Sequence, residues 1–243
     1  AYHDPFSFTE PRTAMKTILV TGANRGLGLG FTRHYLDCGY RVFACARNWE
    51  QCEQTARLRE LYGERFRPLN LDVTDEQAIS TLPDLLDDFD LDIVINNAGT
   101  LSDEPFGRWS TSTFEAAMAI NFVGPALVAQ ALSAVMKRNS QLINISSGLA
   151  SNGLNINPET GLDAYAASKA ALNMVTRRLS AKLEAREITV VAIDPGWVKT
   201  RMGGEEAELT IDESIADVTQ TIKRLSPGQS GLFLSRKGEA LPW

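Results

Sequence analysis

From Met15 onward, short runs rich in β-branched residues alternate with longer segments of helical period, and this alternation restricts the possible folds more than any single motif. The runs fall near 16–20, 40–45, 66–71, 91–95, 140–146, 188–193 and 231–234, and the helical segments near 26–38, 49–62, 75–88, 111–137, 164–187 and 211–225. Strand, helix and strand in succession form a βαβ unit, whose right-handed crossover makes neighbouring strands parallel and covers both faces with helices. Ile93-Val94-Ile95 and Val190-Val191-Ala192-Ile193 are apolar without alternation, as strands covered on both faces must be. The expected fold class is α/β, one doubly wound parallel sheet of about seven strands. Neither a Pro/Gly/Ser-rich linker nor a repeat divides 15–243, which reads as a single domain. Residues 1–14 carry two prolines and lack the basic start and apolar core of a secretion signal, and they read as a leader or an expression remnant.

The segment Thr21-Gly22-Ala23-Asn24-Arg25-Gly26-Leu27-Gly28 leaves the first strand and opens the first helix. Glycine there permits a tight turn, lets backbone approach a pyrophosphate and allows close helix–strand packing, while the helix N-terminus offers free N–H groups to the anion. This position makes the sheet one of Rossmann type and the segment a dinucleotide site. The second strand ends without the acidic residue that would hold both hydroxyls of an NAD ribose; Arg47 follows instead. Arg47 and Arg25 can make charge-assisted bonds to a 2′-phosphate, so NADP(H) is expected in preference to NAD(H). Asp72, before Val73, suits either an adenine amino group or the capping of the turn at Thr74. Asn96-Asn97-Ala98-Gly99 forms a small turn at the carboxyl edge of the sheet, where ligands of open α/β sheets bind.

Tyr165 and Lys169 stand four apart in a helical run, so phenol and ammonium share one local site. A free phenol ionises near pH ~10, and a neighbouring cation favours the phenolate, which makes Tyr165 a candidate general acid or base. Ser146 and Ser147 end the fifth strand at the same edge, where a hydroxyl can hold a substrate oxygen or close a turn. Asn121 interrupts an apolar helix and needs buried partners. Pro195-Gly196-Trp197-Val198-Lys199-Thr200 turns out of the sixth strand, with Thr200 placed to bond a nicotinamide carboxamide. Gly203 and Gly204 read as a flexible lid, and Thr210 with Glu213 as a capping box.

A net charge of −6, mixed along the chain, gives no basic face for nucleic acid or anionic membrane. Cys38, Cys45 and Cys52 are few and odd in number, which points to a reducing, cytoplasmic compartment. They lack the close pairing of a metal site, and His3 and His34 join no cluster, so no metal is expected. No window of about 18 apolar residues is apparent, which argues against a membrane span.

Taken in order, Thr21-Gly22 through Gly28, Asn96 to Gly99, Asn121, Ser147, Tyr165 with Lys169, and Pro195-Gly196 resemble the short-chain dehydrogenase/reductase family over essentially all of 15–243. The stretches Tyr165–Met174, Pro195–Gly204 and Gly238–Trp243 are similar to its C-factor and sniffer-type carbonyl reductase branch. The resemblance implies four catalytic residues: Tyr165 as proton donor, Ser147 sharing the substrate oxygen with Ser146 as the fallback, Lys169 lowering the phenol's pKa, and Asn121 holding a water. It implies a cofactor site of Gly22, Asn24, Arg25, Gly26, Leu27, Gly28, Arg47, Asp72, Val73, Asn97, Ala98, Gly99, Tyr165, Lys169, Pro195, Gly196, Val198 and Thr200. The implied activity is NADP(H)-dependent reduction of a ketone or aldehyde, with an apolar pocket that includes Thr100, Leu101, Leu149, Trp197 and the Met202–Leu209 lid. The competing readings are a cofactor-binding signalling protein with little turnover and an NAD-dependent alcohol or hydroxysteroid dehydrogenase. Relatives pair helices matching 111–137 and 164–187, which implies a homodimer or higher homo-oligomer. Asp194 departs from the histidine usual in this branch.

Overall fold

The computed structural model describes residues 15–50 and 52–243; the leader reading of 1–14 lies outside them. Seven parallel strands form one sheet: β1 (Thr17–Thr21), β2 (Arg41–Ala46), β3 (Phe66–Asn70), β4 (Leu91–Asn96), β5 (Met136–Ile145), β6 (Thr189–Asp194) and β7 (Phe233–Ser235). Their order is β3-β2-β1-β4-β5-β6-β7, so the winding reverses between β1 and β4 and opens a crevice at the carboxyl ends of those strands. Each central strand feeds two cores. Ile18 and Val20 of β1 join Ile93, Ile143 and Val191 on one face, under α1 (Gly26–Asp37) and Ile215, Val218 and Ile222 of α7 (Ile211–Arg224). Leu19 joins Phe43, Val94, Leu142 and Val190 on the other. Strand side chains alternate between faces, so strands that meet a core on both sides must be apolar throughout.

The helices follow the expected order with informative breaks. Trp49 does not start a helix; its indole donates to Ala44 O at 2.9 Å and meets Phe66 edge-on at 5.3 Å, and α2 begins at Gln54 (Gln54–Tyr62). The expected helix 75–88 is reduced to α3 (Glu76–Ser80) and a tight turn at Pro83–Leu86, because proline carries no N–H for a helix interior. The segment 111–137 divides into α4 (Thr111–Met118), a wide helical turn (Ala119–Val123) and α5 (Gly124–Leu132), and β5 begins already at Met136. By length and composition Thr111–Val135 is long and apolar enough to cross a membrane, which corrects the expectation that no such window exists. Here Val128, Ala129 and Leu132 of that run are buried in the second core. The longest helix, α6 (Asp163–Leu183), crosses behind β5 and β6, and the predicted capping box closes on α7 through Thr210 and Glu213.

A buried polar ladder stands beneath the crevice. Asn96 and Asn144 are register partners on β4 and β5; Asn96 Nδ2 donates to Asn144 Oδ1 at 2.9 Å, and Asn144 Nδ2 donates to Thr176 Oγ1 on α6 at 2.8 Å. Buried amides so joined tie sheet and helix together at one fixed height.

Candidate active site

The glycine turn is held by its neighbours. Gly22 and Gly26 have φ of +64° and +52°, a region that glycine enters without strain. At Gly28 the reason is proximity: a Cβ would lie 2.0 Å from Gly22 O and 2.5 Å from Asn97 Nδ2. Thr21 Oγ1 accepts from the N–H of Asn97 and of Ala98, both at 3.0 Å, and Asn97 Nδ2 donates to Thr21 O at 2.9 Å. The turns at Gly22 and at Asn97–Gly99 are therefore buckled together, and the Asn97 amide is spent on that buckle. Thr200 arrives from across the crevice, its Cγ2 3.6 Å from a Cβ placed on Gly26. Asn24 Nδ2 reaches Asn48 O at 3.4 Å, and Leu27 packs on the first core. Asp72 Oδ1 accepts from both the N–H and the hydroxyl of Thr74, at 2.9 and 2.8 Å, which is the turn-capping alternative. Val73 O packs under the start of α5, 2.5 Å from a Cβ placed on Gly124.

Three exposed arginines gather at this corner. Arg25, Arg47 and Arg201 make no ion pair among the described residues. Partial burial, then the like charges of Arg201 and Arg47, hold the Arg25 guanidinium below its ordinary value. Arg201 went unnoticed in the sequence because it lies far along the chain, and no local pattern links it to the glycine turn.

The second part of the site hangs from α6. Tyr165 and Lys169 are both buried, and Lys169 Nζ donates to Ile145 O at the end of β5 at 2.7 Å. A Cβ placed on Gly99 would lie 3.8 Å from Lys169 Nζ and 3.3 Å from Asn121 Oδ1, so the three meet at the crevice floor. Asn121 sits in the wide turn between α4 and α5. Its Oδ1 accepts from Thr100 N–H at 2.8 Å, and its Nδ2 donates to Thr100 O and Ser168 Oγ, each at 2.9 Å. Both amide protons are thereby used, leaving a lone pair of Oδ1. Wide turns of this kind recur at functional sites because they turn one side chain out of helical register.

The two serines part company. Ser146 is buried and donates to Asn173 Oδ1 at 2.6 Å, whereas Ser147 meets the Tyr165 phenol. Burial pushes that phenol up to about 12; the bond with Ser147 works downward, and the charge of Asp194 upward. Burial brings Lys169 down to about 8. The net direction for the phenol is opposite to the lowering expected from a neighbouring cation, because burial outweighs it. The ammonium is bound to a main-chain carbonyl with Nζ 5.9 Å from the ring centroid, and desolvation of the phenol dominates.

The mouth is shaped by the turn after β6. Gly196 has φ +80°, and Pro195 O accepts from Ser214 Oγ of α7 at 2.8 Å. The segment expected to be a free lid is braced: Val198 bridges to Leu209, Trp197 Nε1 donates to Gly203 O at 2.7 Å, and Thr200 Oγ1 accepts from Gly203 N–H at 3.0 Å. Trp197, Met202, Leu154 and Ile156 are exposed apolar side chains in this region, and Ile156 Cδ1 comes within 3.0 Å of a Cβ placed on Gly148. The loop holding Ile156 has no periodicity, and no pattern in it singles out Ile156 itself.

The chain's likeness to known proteins matches this geometry. The family described as short chain dehydrogenase matches residues 16–210. The carbonyl reductase Sniffer of D. melanogaster superposes with a TM-score of 0.88 at 31% identity, covering 94% of this chain and 100% of that one. The NADPH-bound carbonyl reductase from chicken fatty liver does so with a TM-score of 0.86 at 31% identity, covering 94% of each. The protein named C-signal from Myxococcus xanthus is 32% identical over 161 residues, 63% of this chain and 93% of its own. With seven parallel strands in doubly wound order and the family's sequence pattern across most of its length, the chain belongs to the short chain dehydrogenase family.

Proposed function

We propose that this protein is an NADP(H)-dependent carbonyl reductase that converts a ketone or aldehyde to the alcohol, with Tyr165 as proton donor. The observation that carries the reading is the convergence of Tyr165, Ser147 and Lys169 on a crevice whose far corner holds three arginines that make no ion pair among the described residues. The corner fits a dinucleotide. Gly28 and Gly22 leave a cradle that side chains would fill, and the cations suit a 2′-phosphate. Gly22, Gly26, Asn97–Gly99 and Thr200 would line the cofactor, with Arg25, Arg47 and Arg201 toward its 2′-phosphate; when bound, NADPH supplies the hydride.

The chain's own residues then divide the remaining work. Ser147 and Tyr165 hydroxyls orient the carbonyl oxygen by donating to it. Burial keeps the phenol protonated at neutral pH, so a proton is available as negative charge grows on that oxygen. Lys169, fixed by Ile145 O, keeps its remaining N–H donors for ribose hydroxyls and for proton resupply, with the free lone pair of Asn121 Oδ1 positioned for a linking water. Trp197, Met202 and Ile156 shed water and favour apolar or aromatic substituents.

The likeness to C-signal favours a second reading, a signalling protein that binds cofactor with little turnover. One experiment separates the two: titration with NADPH and with NADH followed by nicotinamide fluorescence, then a panel of ketones, aldehydes and quinones. The reductase reading expects tight NADPH binding and carbonyl-dependent oxidation. Binding without turnover favours signalling, NADH preference favours an NAD-dependent alcohol or hydroxysteroid dehydrogenase, and no binding removes all three. The exposed Val123 and Met174, on helices that relatives pair, support a homodimer, which sedimentation equilibrium tests.

A further inference from the structure

Pairing of β5 with β6 runs to Ile145 and Ile193, and the last rung beyond it is Ser146 N–H to Ile193 O at 2.8 Å. Past that point two turns leave the sheet side by side, one through Ser147 and Gly148, the other through Pro195 and Gly196. The ladder does not simply stop. Asp194, largely buried, accepts from Gly196 N–H at 3.1 Å through Oδ1 and from the backbone N–H of Gly148, next to which its Oδ2 lies. Its carboxylate thus takes one proton donor from each turn and acts as a side-chain rung where no main-chain rung is available.

We propose that Asp194 is a positioning residue of the reducing centre: its carboxylate locks the turn carrying Ser147 to the turn leading to Thr200 and sets a negative charge beside Tyr165. This rests on the reading of Tyr165 as proton donor. It is specific to the acid found here, since an uncharged acceptor at 194 would bridge without the electrostatic part.

The charges around the group are few. Tyr165 faces it from α6, and Arg236, which follows β7, also bears on it and is paired with Asp217 of α7. Burial raises the Asp194 carboxyl, while the two backbone N–H groups and Arg236 pull it back toward ionisation. The charge bears directly on the phenol, upward, in the same sense as burial. Because a phenol loses a charge-neutral state on ionising, a fixed negative neighbour opposes that step, and removing the neighbour must ease it.

The test is Asp194→Asn, read by difference absorbance of the phenolate between each protein and its Tyr165→Phe partner, which isolates Tyr165 from the other tyrosines. The signal of Tyr165 is expected about one pH unit earlier in Asp194→Asn than in the wild type. In turnover, the alkaline limb of kcat/KM for carbonyl reduction moves to lower pH by a similar amount, and Asp194→Glu, which keeps the charge, restores the limb while raising KM. Asp194→Ser removes the charge without setting an amide NH2 against two N–H donors, and it must move the titration in the same direction if Asp194→Asn does not fold. A uniform loss of activity with the titration and the limb unmoved would reduce Asp194 to an ordinary structural contact and overturn the proposal. The two readings fail separately: a wild type without carbonyl turnover sinks the reductase, while the Tyr165 titration, which needs no turnover, still decides on Asp194.

Discussion

The glycine turn and the Tyr165 centre share one edge of the sheet and are made of opposite materials. At the glycine turn the shape comes from backbone: positive φ at Gly22 and Gly26, a Gly28 that touches Gly22 O, and cations left exposed around it. At the Tyr165 centre the shape comes from buried side chains that spend nearly all their hydrogen-bonding capacity on one another, Asn121 on Thr100 and Ser168, Ser146 on Asn173, Lys169 on Ile145 O. The first arrangement offers many donors to a large anion and tolerates modest displacement. The second leaves the phenol, the Ser147 hydroxyl, the remaining N–H donors of Lys169 and a lone pair of Asn121 Oδ1, which restricts chemistry to one small spot.

That contrast predicts how each half fails. Tyr165→Phe deletes the only proposed acid, and carbonyl reduction should fall by about 10²–10⁴-fold with NADPH affinity little changed; a residual rate within a few-fold of wild type would break the assignment. Gly28→Ala forces a methyl against Gly22 O and should cost about 1–3 kcal/mol of stability along with cofactor binding, read by thermal melts with and without NADPH. Arg47→Asp, which sets a carboxylate where a 2′-phosphate would lie, should lower NADPH affinity by about tenfold and abolish the preference over NADH, since a charge-assisted bond amounts to about 1.5–3 kcal/mol. Arg201→Ala, the mildest, should weaken NADPH by about three-fold in low salt and less in high salt, leaving NADH unaffected. Equal weakening of both cofactors would move Arg201 from the 2′-phosphate to the pyrophosphate.

The same contrast explains what the sequence disclosed. A backbone-built site needs glycine at fixed spacing between a strand and a helix, and such spacing is local, so the turn at 22–28 and the sheet class were legible from residues alone. A site built of side chains depends on partners distant along the chain. The pairing of Ser147 rather than Ser146 with Tyr165 followed only from the family's pattern, because which serine faces Asn173 is decided by the pleat of β5 against α6. Arg201 and Ile156 were missed for the same reason. The rise in the phenol's pKa was missed because it arises from burial, and spacing on a helix reports neighbours rather than solvent. Helix breaks at Pro83 and around Asn121 were read through because apolar periodicity runs on across them.

The amide ladder beneath the crevice has a consequence for how the sheet assembles. Asn96 and Asn144 are opposite each other only in the native pairing of β4 with β5. Sliding one strand by a single residue would turn one amide to the opposite face and break the bond between the two, leaving Asn144 Oδ1 without its donor in a dry interior at about 1–3 kcal/mol. The chain thus carries, at the middle of a sheet otherwise made of interchangeable valines and isoleucines, a mark that sets the native register apart from its neighbours.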